Sequence, residues 1–215
     1  MLTQGITGGE WQMNTEKKLP VITIDREYGA GGRTVAKGLS QRFDIPWYDK
    51  DFVLNTAEAS GYSVEEISKE GEQLSSGSRI LNSVLNNSAA YSSSHDRIFE
   101  AQKKVILNLA KSPCIIVGRC ANFILREAGI PAFSIFLYAD MELRIRRAGE
   151  LAENGSINLR KYVEKIDAQR DNYCRNYTHH SLGDYHVHDL CLNSGRMSME
   201  QNIDLIAQMI ENISG

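Results

Sequence analysis

The chain has 215 residues, 42% hydrophobic and 24% charged, which suits one globular domain with a proper core. Its net charge of −3 excludes a general attraction to nucleic acid polymers or acidic membranes, so any anion site must be a local cluster of basic side chains. No apolar run reaches the length of a membrane span.

Residues 1–18 are polar and Gly-rich without periodicity and read as a disordered N-terminal extension, with Met13 a candidate natural start. The folded domain is expected over 19–215. Val21–Asp25 reads as a buried strand, followed by the Gly-rich turn Tyr28-Gly-Ala-Gly-Gly-Arg33 and a helix with Ala36, Leu39 and Phe43 on one face. Pro46 closes that unit, and Trp47-Tyr48-Asp49 ends a second short strand. Residues 50–72 predict one or two helices, and Ser75–Ser94 is rich in Ser and Asn with a helical face at Ile80, Leu81, Val84 and Leu85. A helix is expected over Asp96–Lys111. Strands follow at Pro113–Gly118 and Ala132–Tyr138, then Arg-rich helices at Ala139–Glu153 and Asn158–Asn176. A last strand at Asp189–Asn193 and a closing helix at Met199–Ile213 complete the pattern.

Alternating strands and helices predict an α/β fold, a three-layer parallel sheet with helices on both faces. Ligands of such sheets bind at the carboxyl ends of the strands, where the Gly-rich turn, Asp49, Gly118-Arg119 and the Arg144 region all fall. Strand, Gly turn and helix start make an anion site from free backbone N–H groups and the helix dipole. Gly29, Gly31 and Gly32 let the backbone approach phosphate oxygens, and Arg33 and Thr34 add a guanidinium and a hydroxyl. A loop with no ligand has the same outline. Two phosphate motifs fit in part. The dinucleotide pattern G-x-G-x-x-G/A uses Gly29 and Gly31 but meets Thr34 at its third position, with Asp49 about twenty residues on. The P-loop pattern G-x-x-x-x-G-K-[ST] is also incomplete.

Four segments in order, Ile24-Asp-Arg-Glu-Tyr-Gly-Ala-Gly-Gly-Arg-Thr34, Ile45-Pro-Trp-Tyr-Asp-Lys50, Ile116-Val-Gly-Arg-Cys-Ala121 and Leu143-Arg-Ile-Arg-Arg147, resemble the cytidylate-kinase-like proteins over about residues 20–213. The resemblance implies a P-loop nucleotide kinase-like fold with a helical monophosphate-binding segment at 50–95 and a lid region at 140–178. It implies that Gly29, Ala30, Gly31, Gly32, Arg33 and Thr34 form the phosphate loop, with Arg26 nearby. Asp49 would lie beside the acceptor phosphate, Gly118 and Arg119 would contact the monophosphate, and Arg144 and Arg147 would open the lid. Arg170 and Arg175, with Asp167 and Asp171, resemble the lid helix. Arg33, Arg119, Arg170 and Arg175 are the expected catalytic cations.

The implied reaction is Mg²⁺-dependent transfer of the ATP γ-phosphoryl to a nucleoside monophosphate, with CMP or dCMP the expected acceptor. Two departures bear on it. True cytidylate kinases carry Gly-Ala-Gly-Lys-Gly-Thr where this chain has Gly-Ala-Gly-Gly-Arg-Thr, so Gly32 stands at the lysine position. The acid after their Gly-Arg is Cys120 here. Arg33 is expected to supply the lost charge, with Arg26 a second candidate. A degenerate module that binds a nucleotide or phosphometabolite without turnover is the alternative, and a dinucleotide-binding domain a third.

Four further features weigh less. The Arg-rich helix at 158–176 also fits a solvated face laced with i, i+4 ion pairs. His179, His180, His186 and His188 lack ligands at zinc spacing and read as a surface loop, so no metal site is expected in the chain itself. Cys114, Cys120, Cys174 and Cys191 form no C-x-x-C pair; with no secretory leader read, they predict reduced thiols and a cytoplasmic protein. The partners expected are nucleotide substrates, with no membrane and no nucleic acid polymer. The apolar positions from Ile80 to Tyr91 are candidates for an oligomer interface, and the sequence sets no oligomeric state.

Overall fold

A computed structural model describes residues 19–49, 94–150 and 158–214, with the side chains of 94–98 excepted. The expected extension at 1–18, nearly all of the helical segment at 50–95 and the stretch 151–157 of the lid region lie outside the described residues.

Val-Ile-Thr-Ile-Asp-Arg, dense in β-branched residues, forms β1 (Val21–Arg26), and its alternation divides the core. Ile22 and Ile24 point to the layer of α1 (Gly32–Phe43) and α6 (Met199–Ile213), where Val35, Ala36, Leu39, Ile206 and Ile210 are buried. Val21 faces the other layer, with Ile116, Ile124 and Leu125. That layer holds α2 (Ser94–Leu109), α3 (Ala121–Glu127) and α5 (Leu159–Thr178). Burial on both faces explains why the strands read as near-continuous apolar runs.

The sheet has five parallel strands in the order β2-β3-β1-β4-β5, with β2 at Trp47–Tyr48, β3 at Ile115–Val117, β4 at Ala132–Tyr138 and β5 at Leu190–Asn193. β1 lies between β3 and β4, which the chain reaches in opposite directions, so the loop after β1 sits at a topological switch point. The expected α/β, three-layer parallel architecture is the observed one.

Local chemistry sets the helix ends. α1 stops at Asp44, left-handed at φ 53°, whose N–H donates to the Ser40 carbonyl; Pro46 follows and cannot continue a helix. α6 opens with a capping box between Ser198 and Gln201. The buried Asn202 amide then donates to the carbonyls of Ser194 and Ser198 and fixes the turn after β5. α4 (Met141–Glu150) begins two residues beyond the expected boundary. No helix among the described residues is long and apolar enough to cross a membrane.

A candidate phosphate site at the carboxyl end of the sheet

The segment between β1 and α1 turns tightly, with the Ala30 N–H donating to the Glu27 carbonyl (3.3 Å). Gly31 caps α1 in the left-handed region, and no side chain caps that end. The first turn of α1 holds no acid, an arrangement whose dipole suits an anion. Ala30 and Gly32 are buried, whereas Arg33 and Thr34 are exposed on the first turn. Gly29, at φ 79°, lies against the backbone of Arg144; a Cβ there would stand 2.5 Å from the Arg144 carbonyl oxygen.

Around this loop the guanidinium groups gather. Arg26, at the end of β1, runs over Gly32, where a Cβ would meet its Cγ at 2.9 Å, and then over Gly118 beyond β3. It ends on the carboxylate of Asp49, beyond β2, at 3.3 Å. Arg33 pairs with the other Asp49 oxygen. Arg170, from α5, donates to the Arg26 carbonyl (3.2 Å) and lies over the Tyr28 ring, 5.5 Å from its centre. Arg119 lies over the Tyr173 ring at 5.8 Å and close enough to Arg26 and Arg170 to repel both.

Burial lowers the Arg26 pKa, partly offset by Asp49 and Asp25. Burial, then Arg26, pushes the Arg170 guanidinium down to about 9. Like charges held this close in a part-buried site carry a cost that a bound anion relieves.

Arg144 and Arg147 have another task. Arg144 is buried, donates to the carbonyls of Ala139 (3.0 Å) and Tyr28 (3.4 Å), and pairs with Glu27 (3.2 Å) and Asp167. Asp167 also accepts the Tyr28 N–H (2.6 Å), and Tyr162 packs edge-on against Tyr28, so α5 is docked on the loop. Arg147 donates to the Gly29 carbonyl (3.4 Å) and to Ser194 (3.2 Å) after β5. Both arginines grip the loop's backbone from behind. Arg175 stands apart, exposed and paired with Asp171 at 2.7 Å. The sequence reading gave no site role to Glu27, Tyr28 or Ser194; the first two lie within the quoted segment from Ile24 to Thr34, and Ser194 lies in no quoted segment.

Gly118, Arg119 and Cys120 are three successive left-handed residues, at φ 80°, 63° and 55°. The two non-glycine positions store strain, a feature that concentrates at functional sites. The Cys120 thiol is buried beside Cys174, and its pKa is raised by a hydrogen bond to that thiol and by burial, which fits packing rather than nucleophilic attack. All four cysteines are free. His180 and His186 both contact Asp184, at 2.8 and 2.9 Å, and no group of three or more potential metal ligands occurs among the described residues.

Asp25, buried on the inner face of β1, has its carboxyl raised by burial against the attraction of His188, Arg26 and Arg170. The native state then holds a proton that the unfolded chain has lost. Stability from this group falls as pH rises from the unfolded value of 3.8 through the raised native one. Asp25→Asn is therefore expected to gain in melting temperature relative to wild type between pH 4 and pH 7. A difference that stays flat across that range counts against the assignment.

A family model described as the cytidylate kinase-like family matches residues 21–196. A cytidylate kinase of Thermoplasma acidophilum is 28% identical over 199 residues, covering 90% of this chain and 93% of the relative. A cytidylate kinase of Staphylothermus marinus is 24% identical over 196 residues, covering 89% and 96%. Among solved structures, an uncharacterized protein from Eubacterium ventriosum is similar at a TM-score of 0.63 and 24% identity, covering 89% of this chain and 98% of that one. A shikimate kinase from Bacteroides thetaiotaomicron follows at 0.55 and 14%, covering 90% and 99%. These likenesses show the fold, that of the P-loop kinases.

Proposed function

We propose that this chain, which belongs to the cytidylate kinase-like family, transfers the γ-phosphoryl of ATP to a nucleoside monophosphate, CMP or dCMP. The observation that carries this reading is the convergence of Arg26, Arg33, Arg119 and Arg170 on the uncapped start of α1. Phosphoryl transfer needs little covalent chemistry from the protein and depends on positioning and charge stabilisation, which such a cluster supplies. The names of the two cytidylate kinase relatives favour a cytosine nucleotide.

In this reading the loop amides and α1 hold the donor phosphates, while Arg119 and Arg170 neutralise the transferring group and the acceptor. An acceptor phosphate oxygen bonds to the γ-phosphorus as the β–γ bridge breaks, and ADP leaves with the electron pair. Asp49 orients Arg26 and Arg33. Mg²⁺ accompanying a nucleotide keeps most of its ligands from water and phosphate and asks the protein for one or two oxygens. The exposed Thr34 hydroxyl at the loop's exit suits that demand and would hold it; the ion's part is to offset phosphate charge.

The test is coupled ADP release with Mg·ATP against CMP, dCMP, UMP, AMP and GMP. Turnover is expected on CMP or dCMP, and Arg119→Ala is expected to lower kcat/KM about 100-fold, the scale of one lost electrostatic donor. Absence of turnover on all five would sink the kinase reading. Gly32 at the lysine position favours the second reading, a module that binds nucleotide without turnover. That reading expects a thermal shift with ATP or a monophosphate and no ADP release.

A further inference from the structure

The P-loop spacing G-x-x-x-x-G-K, set on Gly31 as its second glycine, puts its first glycine at Arg26 and its lysine at Gly32. The two ends of the motif have exchanged kinds: the cation stands where a glycine belongs, and a glycine stands where the cation belongs. The structure joins the two positions. The Arg26 side chain lies directly over Gly32, with Cβ and Cδ each 3.3 Å and Cγ 2.9 Å from where a Cβ would be. Arg26 thus fills the space into which a side chain at 32 would grow. Farther out, its guanidinium crosses Gly118, where any Cβ would overlap it. Two glycines on separate segments form the slot for one arginine, and Asp49 holds its tip.

We propose that Arg26 is the donor-phosphate cation of this site, acting from the end of β1 in place of the lysine that the motif puts at position 32. This deepens the kinase reading and rests on it. Arg33, the expectation from sequence, is the weaker candidate. Its side chain is 43% exposed against 14% for Arg26, and it meets Asp49 from the outer rim of α1. A cation shielded from water acts far more strongly on a phosphate than one at the surface. The Arg170 contact to the Arg26 carbonyl further fixes the backbone from which the side chain departs.

The experiment compares wild type with Arg26→Ala, Arg33→Ala and the double variant Arg26→Gly with Gly32→Lys, which restores the usual order. Steady-state kinetics, titration calorimetry with Mg·ATP and circular-dichroism melting are measured on each. Arg26→Ala is expected to lower kcat at least about 100-fold and Arg33→Ala less than about tenfold. The double variant is expected to recover at least about tenfold over Arg26→Ala, because a lysine at 32 can grow into the emptied slot. If Arg26→Ala melts below the assay temperature, the double variant alone decides: turnover above background supports the exchange, and folded protein without turnover overturns it. Arg26→Ala within about threefold of wild type, or the larger loss in Arg33→Ala, overturns it as well. If wild type itself shows no turnover, the kinase reading fails separately, and ATP affinity decides: loss in Arg26→Ala with retention in Arg33→Ala supports the role, and equal affinities refute it.

Discussion

Arg144→Met is expected to lower unfolding free energy by about 3–5 kcal/mol, the scale for removing one partner of a buried ion pair. The methionine matches the length of the arginine stem, so packing changes little and the loss is electrostatic. Glu27 and Asp167 would be left part-buried without their cation, and the carbonyls of Ala139 and Tyr28 would lose a donor. Burial already raises the Glu27 pKa, partly offset by the Ala139 N–H and Arg144. Chemical denaturation measures the effect, and a double-mutant cycle with Asp167→Asn identifies its source. Asp167→Asn should cost clearly less in the Arg144→Met background than in wild type. Additive losses would show that the pair is not coupled.

Gly29→Ala should cost about 3 kcal/mol or more and abolish turnover, for a different physical reason. Its φ of 79° is one that L-residues adopt only at a cost of about 1–2 kcal/mol. The new methyl would also meet the carbonyl oxygen, Cα and carbonyl carbon of Arg144 at 2.5, 2.9 and 3.0 Å, all backbone atoms that no rotamer change can clear. Gly31→Ala is the matched comparison. Its φ is 89°, but its methyl would meet the Met199 methyl and sulfur at 2.7 and 2.9 Å, the far end of a flexible side chain that can swing away. The Gly31 loss should therefore be the smaller of the two. Denaturation midpoints and the ADP-release assay read both, and a Gly29→Ala protein within about 1 kcal/mol of wild type would refute the argument.

How far these contacts can be read in sequence depends on their range. β1, α1, β4 and α6 are visible because apolar spacing and Gly turns act over a few residues. Asp49 is visible because it follows a strand. The work of Arg144 is hidden, since its partners Glu27 and Tyr28 lie more than a hundred residues away and an arginine reads alike whether it faces phosphate or carboxylate. Arg170 and Arg175 sit on one helix at spacings that suit either a site or a solvated face. Only the packing of α5 on Tyr28 turns the first toward the loop and leaves the second with Asp171. Asp25 shares a face of β1 with Val21 and Thr23, and its burial follows from the strand lying between two helical layers, but short strands carry acids for many reasons.

The register of β1 also bears on how the chain is made. Ile22 pairs with Ile115 and Val21 with Ala132, partners roughly 90–110 residues downstream, so the central strand leaves the ribosome before both of its neighbours and must wait for them. During that interval its apolar side chains and unpaired backbone are exposed to other nascent chains. Vectorial synthesis thus delays the setting of the loop after β1 until residues through Tyr138 have emerged, and a truncated product ending earlier has no β4 to cover β1.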